Sequence, residues 1–222
     1  MLADGVSIIG ATGDLGYGLA VRWARAAVPI VIGSRDGARA QEAAQRVIVA
    51  VPGANVSGAD NATAAAASQT VVMSVPFAGQ AATYKSIADS LTAGQLVIDA
   101  TVPLAPAVGG KPTRIIGVWQ GSAAQQAAEL IPEGVDIVSA LHTVSASKLA
   151  DLEHDLGEDV LVCGDRKDPK GSAIELISRI DGLRAIDCGR LELSRITESL
   201  TALMISVNIK HKTHAGISIT GL

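Results

Sequence analysis

The sequence predicts a doubly wound, mostly parallel α/β sheet followed by a small C-terminal α/β lobe. Three observations lead there. An apolar run, Val6-Ser7-Ile8-Ile9, leads into a glycine-rich turn, Gly10-Ala11-Thr12-Gly13-Asp14-Leu15-Gly16, and then into a helical pattern. Short β-branched runs alternate with Ala-rich helical stretches as far as Ala100. Such alternation reads as parallel strands joined by crossover helices. Beyond Thr101 the rhythm breaks into a proline- and glycine-rich loop and a shorter set of strands and helices.

The first strand, turn and helix read as a dinucleotide-binding unit of the Rossmann type. Leu15, Leu19, Trp23, Ala26 and Ala27 recur at helical spacing, so the helix is expected over Leu15 to Ala27. A tight turn needs residues that tolerate unusual backbone angles, the expected use of Gly10 and Gly13. A pyrophosphate can then approach bare N–H groups at the positive end of the helix. Gly16 is expected to let the helix sit close to the strand. The spacing is G-x-x-G-x-x-G, with Ala11 where the commoner fingerprint has a glycine. The alternative is a plain strand-to-helix turn.

Ile30-Val31-Ile32-Gly33 reads as the second strand, which in such a fold ends beside the adenosine ribose. An NAD-binding chain often carries an acid there. This chain has Ser34-Arg35, with Arg39 four residues on. A helix starting near Asp36 points Arg35 and Arg39 to the same side. A hydroxyl and two guanidinium groups suit a phosphate dianion, so NADP is expected rather than NAD. Asp36 either points away or holds one of the arginines.

A helix over Gly37 to Val49 follows, then a Pro52-Gly53 turn and a short strand at Asn55-Val56-Ser57. Asp60 to Ser68 reads as a small helix, and Thr70 to Val75 as a buried strand stopped by Pro76. The next helix is expected over Gln80 to Leu91 and the fifth strand over Gln95 to Ala100. The loop from Thr101 to Arg114 holds Pro103, Pro106, Gly109, Gly110 and Pro112, and its length suggests that it lines a site. Ser122 caps a helix to Ile131, Pro132-Glu133-Gly134 turns the chain, and Asp136 to Leu141 is a strand running into His142-Thr143. Val160 to Cys163 is a strand, Pro169 to Ile180 a helix closed by Asp181-Gly182, and Arg184 to Asp187 the last strand. Leu191 to Asn208 is a long, mostly apolar helix; its apolar circumference predicts burial against a second subunit, hence a homodimer.

Composition narrows the function. The chain has 222 residues, 48% of them apolar but only 2% aromatic, so the core is aliphatic and broad stacking surfaces for nucleic acid are missing. A formal charge of −4 gives no electrostatic case for a nucleic-acid or membrane partner. Cys163 and Cys188 stand far apart in apolar surroundings, which suggests core thiols in a reducing, cytoplasmic compartment rather than a disulfide. No apolar run reaches the ~18 residues of a membrane span. Met1 to Gly5 lacks the features of a signal peptide. Among His142, His154, His211 and His214, only His211 and His214 are close, without a convincing third ligand, so no metal site is expected.

Several runs together resemble one family: Gly10 to Gly16, Gly33-Ser34-Arg35, Ser139-Ala140-Leu141-His142-Thr143, Cys163-Gly164-Asp165, Ile180 to Arg184, Ser194-Arg195 and Glu198-Ser199-Leu200-Thr201. They are similar to the NADPH:coenzyme F420 oxidoreductases, nearly end to end. (F420 names a deazaflavin coenzyme, not a residue.) The resemblance implies an NADP-binding domain over 1–140 and a small lobe over 141–222 that completes a deazaflavin cleft and contributes to a homodimer. It implies that Thr12, Ser34, Arg35 and Arg39 hold the 2′-phosphate, and that Gly13, Asp14 and Leu15 lie under the pyrophosphate. Ser74, Val75 and Pro76 border the nicotinamide and ribose. His142, Thr143, Val144 and Ala146 line the deazaflavin cleft, with Ala215 and Gly216 approaching from the C-terminus. Asp36 and the segment from Lys210 to Leu222 depart from the family pattern.

The implied reaction passes a hydride between NADP(H) and coenzyme F420. It needs orientation of two rings at ~3–3.5 Å and exclusion of water, with no catalytic triad and no covalent intermediate. His142 then hydrogen-bonds the deazaflavin or its own strand end, or is a satisfied core histidine. Two other readings share the N-terminal unit: an NADP-dependent imine or 3-hydroxyacid dehydrogenase, which usually carries a larger helical C-terminal domain, and a non-catalytic NADP-sensing protein.

Overall fold

The computed structural model describes residues 3–153 and 155–222; Met1, Leu2 and His154, which entered the readings above, lie outside the described residues. The chain runs β1 (Ala3–Ile9), α1 (Asp14–Arg25), β2 (Ile30–Ser34), α2 (Gly37–Ala50), β3 (Val56–Asp60), α3 (Asn61–Ala67), β4 (Ser68–Met73), α4 (Phe77–Ile87), β5 (Leu96–Asp99), α5 (Ala123–Ala128) and β6 (Asp136–Ser139). These strands form one six-stranded sheet in the order β3-β2-β1-β4-β5-β6, parallel throughout. The chain continues through α6 (Ala146–Ala150), β7 (Glu158–Val162), α7 (Lys167–Ser178), β8 (Leu183–Asp187) and α8 (Ser194–His211). β7 and β8 make a second, two-stranded parallel sheet, tied to β6 by an antiparallel bridge between Ser139 and Cys163.

The sheet is apolar on both faces, as a doubly covered parallel sheet must be. Val6, Ile8, Ile30, Ile32, Val72, Ile98 and Val138 pack on one side with Leu19 and Trp23 of α1. Ile9, Val71, Met73 and Val97 pack on the other with Tyr84 and Ile87 of α4. The first cluster extends through Leu149, Val160, Val162, Ala173 and Ile177, so the C-terminal elements share the core of the large sheet.

The helix starts follow local chemistry. The Asp36 carboxylate accepts the Ala38 N–H at 2.9 Å, Asp60 accepts those of Ala62 and Thr63 at 3.0 Å, and Ser122 accepts that of Gln125 at 3.0 Å. Asp36 therefore caps α2 instead of holding an arginine. α4 starts at Phe77, ahead of the expected Gln80, because Pro76 with φ −58° sits at its N-cap. β4 correspondingly ends at Met73, opposite the last residue of β1.

Two further elements differ from expectation. No element was expected between Thr143 and Val160, yet α6 lies there. Its five residues are too few to show a helical period. It is set by tertiary contact: Arg22 of α1 donates to the carbonyls of Leu149 at 2.9 Å and Lys148 at 2.8 Å. A Cβ on Gly18 would come within 2.6 Å of Leu149 Cβ, so that glycine permits the close crossing. The other difference is α8, which follows a short 3-10 turn at Leu191–Leu193 and buries Ser194, Thr197, Glu198 and Ala202. Ile196 and Leu203 are 54% exposed and Ile209 65%. Within one chain its inward stripe is polar. Cys163 and Cys188 are free thiols. Among the described residues, no helix is long and apolar enough to cross a membrane.

Candidate functional site

Four backbone hydrogen bonds draw the strand ends into one line: Gly10 N–H to Gly33 O, Ser74 N–H to Ile9 O, Ala100 N–H to Met73 O and Ala140 N–H to Asp99 O, at 2.9–3.1 Å. The carboxyl ends of β2, β1, β4, β5 and β6 therefore share one edge, the side on which open α/β sheets bind ligands. The glycine turn, Ser34-Arg35, Ser74-Val75-Pro76 and Ser139 to Thr143 all emerge there.

At the turn, Gly10 has φ +94°, and a Cβ there would lie 2.9 Å from both Ser74 O and Val75 Cγ1. Gly13 takes ordinary extended angles, φ −93° and ψ 167°. Of the two turn glycines, only Gly10 needs conformational freedom; Gly13 contributes bare backbone. A Cβ on Gly16 would come within 2.6 Å of Ala11 Cα and of Ser74 Oγ. Gly16 thus seats α1 against the turn and the end of β4 rather than against β1. No side chain caps α1. Its first N–H groups remain available to an anion, with Thr12 and Leu15 half-buried and Gly13 and Asp14 exposed beside them.

At the end of β2, Ser34 is nearly buried and its Oγ accepts the Asp36 N–H at 3.3 Å. Arg35 and Arg39 are exposed and enter none of the ion pairs among the described residues. Two unpaired guanidinium groups beside an uncapped helix start fit a dinucleotide with an extra phosphate. Asn61, at the start of α3, was missed by sequence reasoning. Its buried Oδ1 has no partner, and it faces Gly33 at the same strand end.

At the end of β4, Ser74 Oγ donates to Ile9 O at 3.0 Å, which fixes the half-buried Ser74-Val75 and exposed Pro76 beside the turn. At the end of β6 the chain bends sharply. Leu141 has φ +70°, a strained angle for a bulky residue. His142 is 8% exposed, and its Nε2 lies 3.3 Å from Ser139 Oγ. Thr201 of α8 donates to the His142 carbonyl at 2.9 Å. Burial lowers the His142 pKa to about 4, so the ring is neutral at neutral pH. Thr143 is half-buried, Val144 buried, and Ala146 opens α6 over α1 at Gly18.

Ala215 and Gly216 follow His214, whose Nδ1 lies 3.3 Å from Ser147 Oγ, beside Ala146 at the start of α6. The Ala215 N–H donates to Asn208 Oδ1 at 2.7 Å, and Gly216 lies against the carboxyl of Glu158. Both Glu158 oxygens are buried without a partner, and burial raises that pKa. Among the described residues, no group of three or more His, Cys, Asp or Glu could hold a metal ion.

A family model described as NADP oxidoreductase, coenzyme F420-dependent, matches residues 5–103. The F420-dependent NADP reductase of Methanothermobacter marburgensis is 42% identical over 221 residues, covering 98% of each chain. That of Methanocaldococcus jannaschii is 41% identical over 222 residues, again covering 98% of each. A crystal structure from an Arthrobacter species superposes with a TM-score of 0.83 at 24% identity, covering 99% of this chain and 100% of the other, a likeness of fold. A 3-hydroxyisobutyrate dehydrogenase from Mycobacterium tuberculosis has a TM-score of 0.62 at 14% identity, and only 62% of its length is matched. The dehydrogenase likeness is one of fold alone, whereas the reductase likeness is one of sequence from end to end, and on that ground the chain belongs to the F420-dependent NADP reductase family.

Proposed function

We propose that the protein is an oxidoreductase that moves a hydride between NADP(H) and coenzyme F420, its second small-molecule substrate. Family membership over the whole chain carries this reading. F420 supplies a deazaflavin ring able to exchange a hydride with the nicotinamide. The protein binds, orients and excludes water. Gly10, Gly13, Asp14 and Leu15 receive the pyrophosphate at the uncapped start of α1. Thr12, Ser34, Arg35 and Arg39 receive the 2′-phosphate, and Ser74, Val75 and Pro76 border the nicotinamide and its ribose. His142, Thr143, Val144 and Ala146 border the deazaflavin, and Ala215 and Gly216 approach from the C-terminus. With its pKa near 4, the neutral His142 ring can hold a hydrogen bond but is no proton donor of useful acidity at neutral pH. It acts by positioning.

The same reading takes residues 1–140 as the NADP-binding domain and 141–222 as a lobe completing the cleft, in a cytoplasmic homodimer. The exposed Ile196 and Leu203, seven residues apart on one face of α8, support the dimer, because an apolar helix face of this kind needs cover.

The test is incubation with NADPH and oxidised F420, following deazaflavin absorbance. The expected result is loss of that absorbance with formation of NADP, and little reaction with free FMN or FAD. Comparable turnover of FMN under matched conditions would replace this reading with a general flavin reductase.

A further inference from the structure

A set of buried polar side chains joins the carboxyl edge to the last helix, and the hydride-transfer reading assigns it no task. Asp99, the last residue of β5, is fully buried. Its Oδ2 accepts from Gln80 Nε2 at 2.9 Å and from Tyr84 Oη at 2.5 Å, and its Oδ1 accepts the Thr101 N–H at 2.8 Å. The Gln80 amide also donates to Ala123 O at 3.1 Å, and its Oε1 accepts from Gln126 Nε2 at 2.9 Å. Ala123 and Gln126 belong to α5. On the other side of α5, Glu198 of α8 is 1% exposed. Its two carboxyl oxygens accept the Ala123 N–H at 2.8 Å and the Ala124 N–H at 3.0 Å. α8 is thereby fastened to the first turn of a helix that α4 and β5 already hold.

Three residues beyond Glu198, Thr201 bonds the His142 carbonyl, directly after the strained Leu141. A bulky residue at positive φ persists only where its surroundings over-determine it. The bond from Thr201 is such a constraint, and where Thr201 stands depends on where α8 is seated. We infer that Glu198 is a positioning residue for the reaction: by fixing α8 on α5, it holds Thr201 where it pins the Leu141–His142 turn at the cleft. The inference rests on the proposed hydride transfer, since it assigns the turn to that site.

The carboxyl group is specific to the task. Ionised, above its pKa of about 8, it meets two N–H donors with two acceptor oxygens, so the kinetic comparison is made above pH 8. The amide of Glu198→Gln offers one oxygen and turns its own donors towards the second N–H. Loss of one such bond with an unpaired donor left behind should lower kcat for F420 about tenfold, while the Kd for NADPH stays within about twofold. Glu198→Asp keeps two acceptor oxygens on a shorter stem and should lower kcat about three- to fivefold, between Glu198→Gln and wild type. Ile177→Val, in the buried face of α7, is the control for lost stability alone: it should lower Tm and leave kcat unchanged. The inference is overturned if kcat of folded Glu198→Gln stays within about twofold of wild type, if Ile177→Val lowers kcat equally, or if NADPH affinity falls in parallel with kcat. Should Glu198→Gln not fold, Glu198→Asp carries the same test, and a kcat within about twofold of wild type overturns it. A wild-type protein that does not turn over F420 at all fails the parent reading instead.

Discussion

α1 turns Leu19, Ala20, Val21, Trp23 and Ala24 inward, with Arg22 reaching out to α6. α8 turns Ser194, Thr197, Glu198 and Ala202 inward and leaves Ile196, Leu203 and Ile209 to solvent. Both helices carry enough aliphatic residues to look alike in the sequence. α1 lies on the apolar face of a sheet, where non-directional burial suffices. α8 lies on the first turn of another helix and on a bent strand end, where N–H and C=O groups require partners. Its seat inside the chain is therefore made largely of directed hydrogen bonds, and Ile196, Leu203 and Ile209 are left to solvent.

The largest expected effect lies at the α1 end of the comparison. Charge-assisted bonds contribute roughly 1.5–3 kcal/mol each, so Arg35→Ala with Arg39→Ala should cut the preference for NADPH over NADH by about two to four orders of magnitude. NADH kinetics should barely move, and added salt should weaken NADPH binding more than NADH binding. A double variant that kept its preference would place the phosphate elsewhere than at the end of β2. Next comes packing. Leu19→Ala should cost about 2–5 kcal/mol of stability. Leu203→Asp should instead abolish the dependence of Tm on protein concentration and give a monomer by light scattering. If wild type is already monomeric at micromolar concentration, the outer face of α8 has no partner of its own kind, and that half of the contrast fails.

A smaller effect is expected for His142→Ala. Losing one positioning hydrogen bond should cost about 1–3 kcal/mol in kcat/KM. Complete loss of turnover in a folded, NADPH-binding variant would mean that the ring moves a proton.

The gentlest effect is on pH dependence. Burial and, secondarily, the Asp99 charge raise the Glu198 pKa from 4.5 to about 8. The stability that Glu198 contributes is complete below 4.5 and is lost as pH rises through about 8. His142, lowered by burial from 6.5 to about 4, runs the other way: its contribution is complete above 6.5 and is lost as pH falls through about 4. The two slopes oppose each other between 4.5 and 6.5, and above that the Glu198 slope remains, in the same direction as that of the buried, raised Asp99. Tm should therefore fall above pH 6.5, as the unfolding free energy drops by at most about 1.4 kcal/mol per pH unit for one group. Glu198→Gln should flatten that fall; an unchanged slope would remove Glu198 as its source.

Much of the large sheet was legible because its signals are local. Strand runs such as Val71-Val72-Met73, the cap at Ser122 and the glycine turn each declare themselves within a few residues. The residues proposed for the phosphate could be named for the same reason: Ser34, Arg35 and Arg39 follow directly from the end of β2. What stayed hidden depends on distant partners. α6 exists because Arg22 and Gly18 receive it, over 120 residues away in sequence. The strain at Leu141 has no signature in residue type. Glu198 was noticed only as part of a family run, because its bonds to Ala123 and Ala124 span 75 and 74 residues.

Those same long bonds set an order of assembly. The first two N–H groups of α5, those of Ala123 and Ala124, find their acceptors on α8 and remain hydrated until it arrives. α8 lies behind every strand in the order of synthesis, so the six-stranded sheet can form before it. Closing so long a loop is entropically slow, and its reward comes only when the acceptors of Glu198 meet their donors. Docking of α8 is then the closing step of folding, and the bend at Leu141 is locked only after the rest of the chain is in place.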